Sequence, residues 1–212
     1  MLSLFAILAP LSLLPQEQAP PSELQVLIDQ AEDGATIQLE GRVYETQHAI
    51  LIEGRRGLTL VGQAGTEIVC LSDWEDVIQL KSSKDITLKG LTAYHKAMPE
   101  ACSGGVVSAE YCRDVRIEDC ELNGCGICGV LAHCVRGLEI VGNEIHHNSF
   151  VGMQLQRCEE VVLQGNRLHD NKGAIRLTDC LPADATDEQP VHQSDEVYYV
   201  VSGKGQFTAG EG

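Results

Sequence analysis

The sequence predicts an all-β chain wound as a right-handed parallel β-helix, with coils of about 23 residues and a short capping helix at the N-terminus. Two observations carry this. The triplets Val115-Arg116-Ile117, Leu138-Glu139-Ile140 and Val161-Val162-Leu163 recur 23 and 23 residues apart, each inside a copy of one longer unit. A fixed interval of that size marks stacked supersecondary units rather than one closed core. The composition agrees: 21 Gly supply corners, and only 4% aromatic residues suit a narrow interior.

Taken in order, residues 1–15 are apolar but too short and interrupted to span a bilayer. They have the form of a secretory signal core with cleavage near Ala19, although no Lys or Arg precedes Arg42. A secreted or cell-envelope location is the expectation. Residues 16–21 read as a linker. Ser22 then precedes a helix in ELQVLIDQAEDG, with Leu24, Leu27 and Ile28 on one face and Gly34 as its stop. Such a helix covers the first coil, whose backbone edge is otherwise unpaired. ATIQLEGRVYE follows as a first pair of strands with a Gly turn.

The coils occupy residues 22–180 together with this cap. Leu58, Ile86, Val115, Leu138 and Val161 anchor one strand of each coil, at intervals of 28, 29, 23 and 23 residues. Eight residues earlier stand Ile50, Ile78, Val107, Val130 and Met153. Alternation with period two turns these positions inward. A third short strand passes through Ala93, Leu122, Ile145 and Leu168. Strands stacked at about 4.8 Å give five or six coils a rise of roughly 25 Å. Asn143 and Asn166 share one column, and Asn148 and Asn171 another; stacked amides bond up the column and to turn backbone. The nine Cys are an odd number, and several share columns of small buried side chains. Cys120, Cys125 and Cys128 lack the second Cys-x-x-Cys or the His that a zinc site needs.

Beyond Cys180, residues 181–189 read as an acidic linker. Residues 190–212 hold two strand-like runs around Ser202-Gly203-Lys204-Gly205, a hairpin pattern. The balance of 15 basic against 31 acidic residues gives −16, which disfavours nucleic acid. It also repels polyanionic sugars at long range, unless a cation bridges the two.

The repeat G-V/M-x-L…V-x-I-x-x-N-x-I-x-x-N over residues 22–180 resembles the pectate-lyase-like right-handed β-helix superfamily. That resemblance implies a carbohydrate-associated solenoid. It leaves chemistry open, because the superfamily includes polysaccharide lyases, glycoside hydrolases, uronate epimerases and plain sugar-binding modules. Residues 190–212 look like the first motif of a cupin, H-x-H-x3-E-x6-G. His192, Glu196 and Gly203 match it, while Pro190 replaces the first His. The resemblance implies a divalent metal at His192 and Glu196, but two ligands do not make a dedicated site. A truncated β-helix–cupin fusion is therefore one alternative.

Candidate chemistry gathers at one corner. The connections 66–77 and 94–106 are longer than 123–129, 146–152 and 169–174, and repeat insertions tend to line the binding face. Trp74, Tyr94, His95 and Lys96 on the long connections, with the strand stripe Gln79, Gln154 and Arg176, are the expected substrate-binding residues. Below them His146 stacks on His169, and His147 on Asp170. These four are the candidate catalytic residues, since an Asp–His pair keeps an imidazole basic. No trio of Asp residues on neighbouring strands marks inverting hydrolysis, and no Asp cluster with a nearby Arg marks a calcium-dependent lyase. The expected function is non-catalytic binding of an extended polysaccharide outside the cytoplasm, with lyase, hydrolase or epimerase activity as the alternative.

Overall fold

The structure is a computed structural model describing residues 20–96, 103–124 and 126–180, and the backbone of 198–200. Among the described residues, one helix precedes six coils of three strands each. The helix α1 is Glu23–Gln30. The first coil contains β1 (Thr36–Leu39), β2 (Val43–Thr46) and β3 (Ile50–Glu53). The second contains β4 (Thr59–Gly62), β5 (Glu67–Cys70) and β6 (Ile78–Lys81). The third contains β7 (Lys84–Lys89), β8 (Thr92–His95) and β9 (Val107–Glu110). The fourth contains β10 (Arg113–Glu118), β11 (Glu121–Asn123) and β12 (Cys128–His133). The fifth contains β13 (Arg136–Val141), β14 (Glu144–His146) and β15 (Val151–Gln156), and the sixth β16 (Glu159–Gln164), β17 (Arg167–His169) and β18 (Ile175–Thr178).

Equivalent strands form three parallel sheets, referred to as A, B and C after the first, second and third strand of each coil. The register follows the repeat: Val115 pairs with Leu138 and Leu138 with Val161, so every anchor sits on its copy. Anchors and their partners two residues on are buried, whereas Arg116 and Glu139 between them face out. Each fully buried Leu or Ile contributes about 1.5–3 kcal/mol by leaving water. The interior therefore stabilises the stack one coil at a time.

The ladders close as expected. Asn143 Oδ1 accepts from Cys120 N–H at 2.9 Å, and its amide donates to Ile117 C=O at 2.9 Å and to Asn166 Oδ1 at 3.0 Å. Asn148 and Asn171 repeat the pattern beside the next corner. Cys112, Cys120 and Cys158 are buried, and their thiols turn to nearby backbone carbonyls. Burial pushes the Cys120 and Cys128 thiols up to about 11, which opposes the thiolate that a metal would need. Cys125 lies outside the described residues.

Several expectations are corrected. Leu27 is exposed, and Leu24 and Ile28 alone bury the helix face. The helix ends at Gln30 with Ala31 as its C-cap, while Gly34 sits in the turn to β1 with φ +82°. Its role as a lid comes from Gln25: the side-chain amide donates to Leu51 C=O at 2.9 Å and accepts from Leu51 N–H at 2.8 Å, finishing the β3 edge. Strands β1 and β2 pair with β4 and β5 rather than with each other. The third-strand column starts two coils earlier than expected, with Tyr44 and Ile68 below Ala93. The connection 66–77 thus contains β5, and its loop proper is 71–77. The longer QAGT turn before β5 shifts it out of the 23-residue spacing. The backbone at Tyr198–Val200 forms β19, which pairs in parallel with β18 and extends sheet C. The remainder of the expected hairpin lies outside the described residues.

Candidate functional site

The outer face of sheet B carries the densest chemistry. Two outward columns run along it. One reads Val43, Glu67, Thr92, Glu121, Glu144, Arg167; the other reads Glu45, Val69, Tyr94, Asn123, His146, His169. They interlock diagonally. Tyr94 Oη donates to Glu67 of the preceding coil at 2.6 Å. His146 Nε2 lies 3.2 Å from Glu121, and His169 Nε2 lies 2.9 Å from Glu144. Each ring thus meets the carboxylate two residues upstream and one coil below.

His146 and His169 stack with centroids 4.8 Å apart and planes 7° apart, as their parallel register dictates. His169 Nδ1 lies 2.7 Å from Asp170, and Arg167 donates to Glu144 at 2.8 Å. Asp170 therefore pairs with its chain neighbour rather than with His147, as the stacked positions had implied. His147 instead brings its Nδ1 to 2.6 Å from His146 Nδ1. His147 and Asp170 share a corner column with Gly124, and all three have left-handed backbone, φ +56°, +54° and +56°. That conformation costs an L-residue about 1 kcal/mol or more. Burial pulls His169 toward neutrality, but its bonds to Asp170 and Glu144 outweigh this and raise its pKa. The bond to His169 holds both Glu144 and Asp170 below the ordinary carboxylate range, against burial.

The other expected residues are spread along the tube. Gln79, Gln154 and Arg176 fall in one outward column of sheet C with Leu51, Ser108 and Leu131. Asp76 from the loop 71–77 folds over the lower part of that column. It accepts from Gln79 at 3.2 Å, from Ser108 at 2.5 Å and from Gly105 N–H at 2.7 Å. Gln154 and Arg176 have no hydrogen-bond partner among the described residues, and Arg176 lies 5.9 Å from the Phe150 ring centroid. Trp74 is exposed on its loop, three coils below His146. Lys96 makes a surface ion pair with Glu45 at 3.7 Å.

Tyr94 and His95 belong to β8 rather than to the following loop. The placement of His95 is corrected: it is 3% exposed, and its Nε2 lies 2.7 Å from Glu75 C=O, so it pins the loop 71–77 from within. Alternation in TAYH carried the signal, because Ala93 and His95 share the inward parity. His192 and Glu196 lie outside the described residues.

Sequence reasoning did not single out Glu121, Glu144, Phe150 or Arg167. It also did not anticipate a cavity of about 300 Å³ on the corner between sheets C and A, lined by Arg55, Arg56, Lys84, Tyr111 and Arg113 among others. Three of its cations, Arg56, Lys84 and Arg113, come from one column, which Arg136 continues on the next coil; Arg55 stands beside it. The signal was available as basic residues just before successive anchors.

Parallel coils with polar columns on their flanks define a right-handed β-helix solenoid. The chain belongs to that family: the model for the right handed beta helix region matches residues 43–191. This fits the pectate-lyase-like superfamily. No curated protein matches the chain significantly. Among solved structures it is similar to a candidate glycosyl hydrolase from Parabacteroides merdae ATCC 43184, with 13% identity and a TM-score of 0.59 over 74% of this chain and 87% of that one. At that identity the likeness speaks for the fold alone.

Proposed function

We propose that this chain binds an extended glycan, without cleaving it, on the flank of its last two described coils. The observation that carries the reading is the exposed Phe150 at the sheet B–sheet C corner, 5.9 Å from Arg176, which pairs in register with Gln154; the polar groups of Gln154 and Arg176 have no hydrogen-bond partner among the described residues. An aromatic face takes the apolar side of a sugar ring, and amide and guanidinium groups take its hydroxyls or a carboxylate. The coil rise of about 4.8 Å is close to the length of one pyranose unit, so successive coils can meet successive sugars. Similarity to a candidate glycosyl hydrolase gives further support for a carbohydrate partner. The apolar stretch at residues 1–15 supports a location outside the cytoplasm, which fractionation of expressing cells would test.

A glycan array probed with the purified chain tests the reading. Retention of a defined polysaccharide, lost in the Phe150→Ala, Arg176→Ala double variant, supports it; no retained glycan, or retention indifferent to both changes, overturns it. A second reading, cleavage or epimerisation, rests on His169 held between Glu144 and Asp170, which is an arrangement suited to proton transfer. New reducing ends or unsaturated product that His169→Ala abolishes would establish it in place of simple binding.

A further inference from the structure

The imidazole–carboxylate cluster on sheet B has a property that glycan binding does not use. His146, His169 and Glu144 each place a ligating atom within 4.8 Å of the others. Glu121 adds a second carboxylate, 3.2 Å from His146 Nε2. The tautomers matter here. If His169 Nδ1–H donates to Asp170 at 2.7 Å, Nε2 carries a lone pair, and that lone pair faces Glu144 Oε1 at 2.9 Å. Two acceptors at that separation require a cation between or beside them. A proton meets the need at one ring. A divalent metal meets it at several donors together.

We infer that Glu144, His146 and His169, with Glu121 completing the set, form a binding site for a first-row divalent transition metal of the zinc type. The donor set argues for this class. Two imidazoles and two carboxylates suit zinc and its neighbours, whereas calcium and magnesium take oxygen ligands alone. Asp170 supplies the outer contact that ligating histidines ordinarily have, a carboxylate on the far ring nitrogen that fixes orientation and raises basicity. His147 stands at the corresponding nitrogen of His146, at 2.6 Å. Charge agrees as well: among the described residues, Arg167, on Glu144 at 2.8 Å, is the one permanent cation bonded to a cluster that holds Glu121, Glu144 and Asp170.

Geometry requires a closure of the three mutually close donors, and Glu121, which meets His146 alone of the three, must swing in to join them. Zinc bonds of about 2.0–2.1 Å bring tetrahedral donors to about 3.3 Å from one another. His169 Nε2 and Glu144 Oε1 are already inside that distance. The stacked rings, with centroids 4.8 Å apart, must tilt toward each other at Nε2. Both sit near the solvent side of the sheet, with side-chain exposures of 11% and 20%, so the tilt disturbs no core packing. The site stands or falls independently of the glycan reading.

The test is titration of the untagged full chain, under reducing conditions, with cobalt(II) as the spectroscopic probe and zinc(II) as competitor. One equivalent is expected, giving d–d absorption without a thiolate charge-transfer band. Glu144→Gln and His169→Ala should each abolish saturable uptake while the far-ultraviolet circular dichroism stays that of the parent. Asp170→Asn should weaken uptake about 10–100-fold, as loss of an outer-shell carboxylate does. His192→Ala should change nothing. Absence of saturable binding, a thiolate band, retention of uptake in folded Glu144→Gln, or loss in His192→Ala would each overturn the assignment.

Discussion

Two ladders in this molecule are built on the same interval and behave differently. Asn143 and Asn166 stack 23 residues apart, and so do His146 and His169, three residues further along the same coils. The Asn pair is 1% exposed at each position, and backbone groups of neighbouring coils complete its hydrogen bonds. The His pair lies on the outer face and finds only side chains, most of them charged. Equal spacing therefore carries no functional meaning by itself. A column that ends on backbone is closed and holds the coils together; a column that ends on side chains can exchange its partners for a ligand.

Substitutions can break this contrast. The largest effect should come from Asn143→Ala, which leaves Cys120 N–H and Ile117 C=O buried without their partner. A loss of about 3 kcal/mol or more is expected from two such groups, read as a lowered urea midpoint. Next comes Gly129→Ala. Its new methyl would meet Ile145 and stand 3.2 Å from Asn148 Nδ2, crowding the second Asn column. Overpacking of that kind costs about 1–3 kcal/mol, measurable in the same denaturation series. His169→Ala on the outer ladder should cost under about 1 kcal/mol, because exposed pairs are weakly stabilising. A loss from His169→Ala equal to that from Asn143→Ala would erase the distinction.

The smallest effect concerns Tyr94, lower on the same outer face. The bond to Glu67 and burial raise its phenol to about 12. With an unfolded value of about 10, the neutral phenol favours the folded state. That contribution is fully present below pH ~10 and is lost as pH rises toward the folded value. Ultraviolet titration of tyrosinate absorbance, compared between the parent and Tyr94→Phe, should show one phenol ionising late; ionisation of every phenol near the ordinary value would refute the bond.

The fold was legible because inward positions obey a single rule. Val115, Leu138 and Val161 alternate with polar neighbours at a constant interval, and the interior accepts little else. The early coils were harder to read. A longer turn displaced β5, so the third-strand column appeared to begin at Ala93 instead of Tyr44. At the site, His146 over His169 was readable from the interval, but Glu121 and Glu144 were not. Their contacts run diagonally, one coil down and two residues back, and depend on side-chain reach rather than on register. Phe150 was missed because an isolated aromatic in a corner has no repeat to announce it, and His95 was misplaced because parity was not followed to the end of its strand.

The basic column at the corner between sheets C and A has a further consequence. Arg56, Lys84, Arg113 and Arg136 stand in line along a molecule whose net charge is −16. The line does not stand alone: Lys84 lies against Asp85 and Asp114, and Arg136 against Glu159 and Glu160. The winding that brings like charges into one column also brings their counter-charges in beside them.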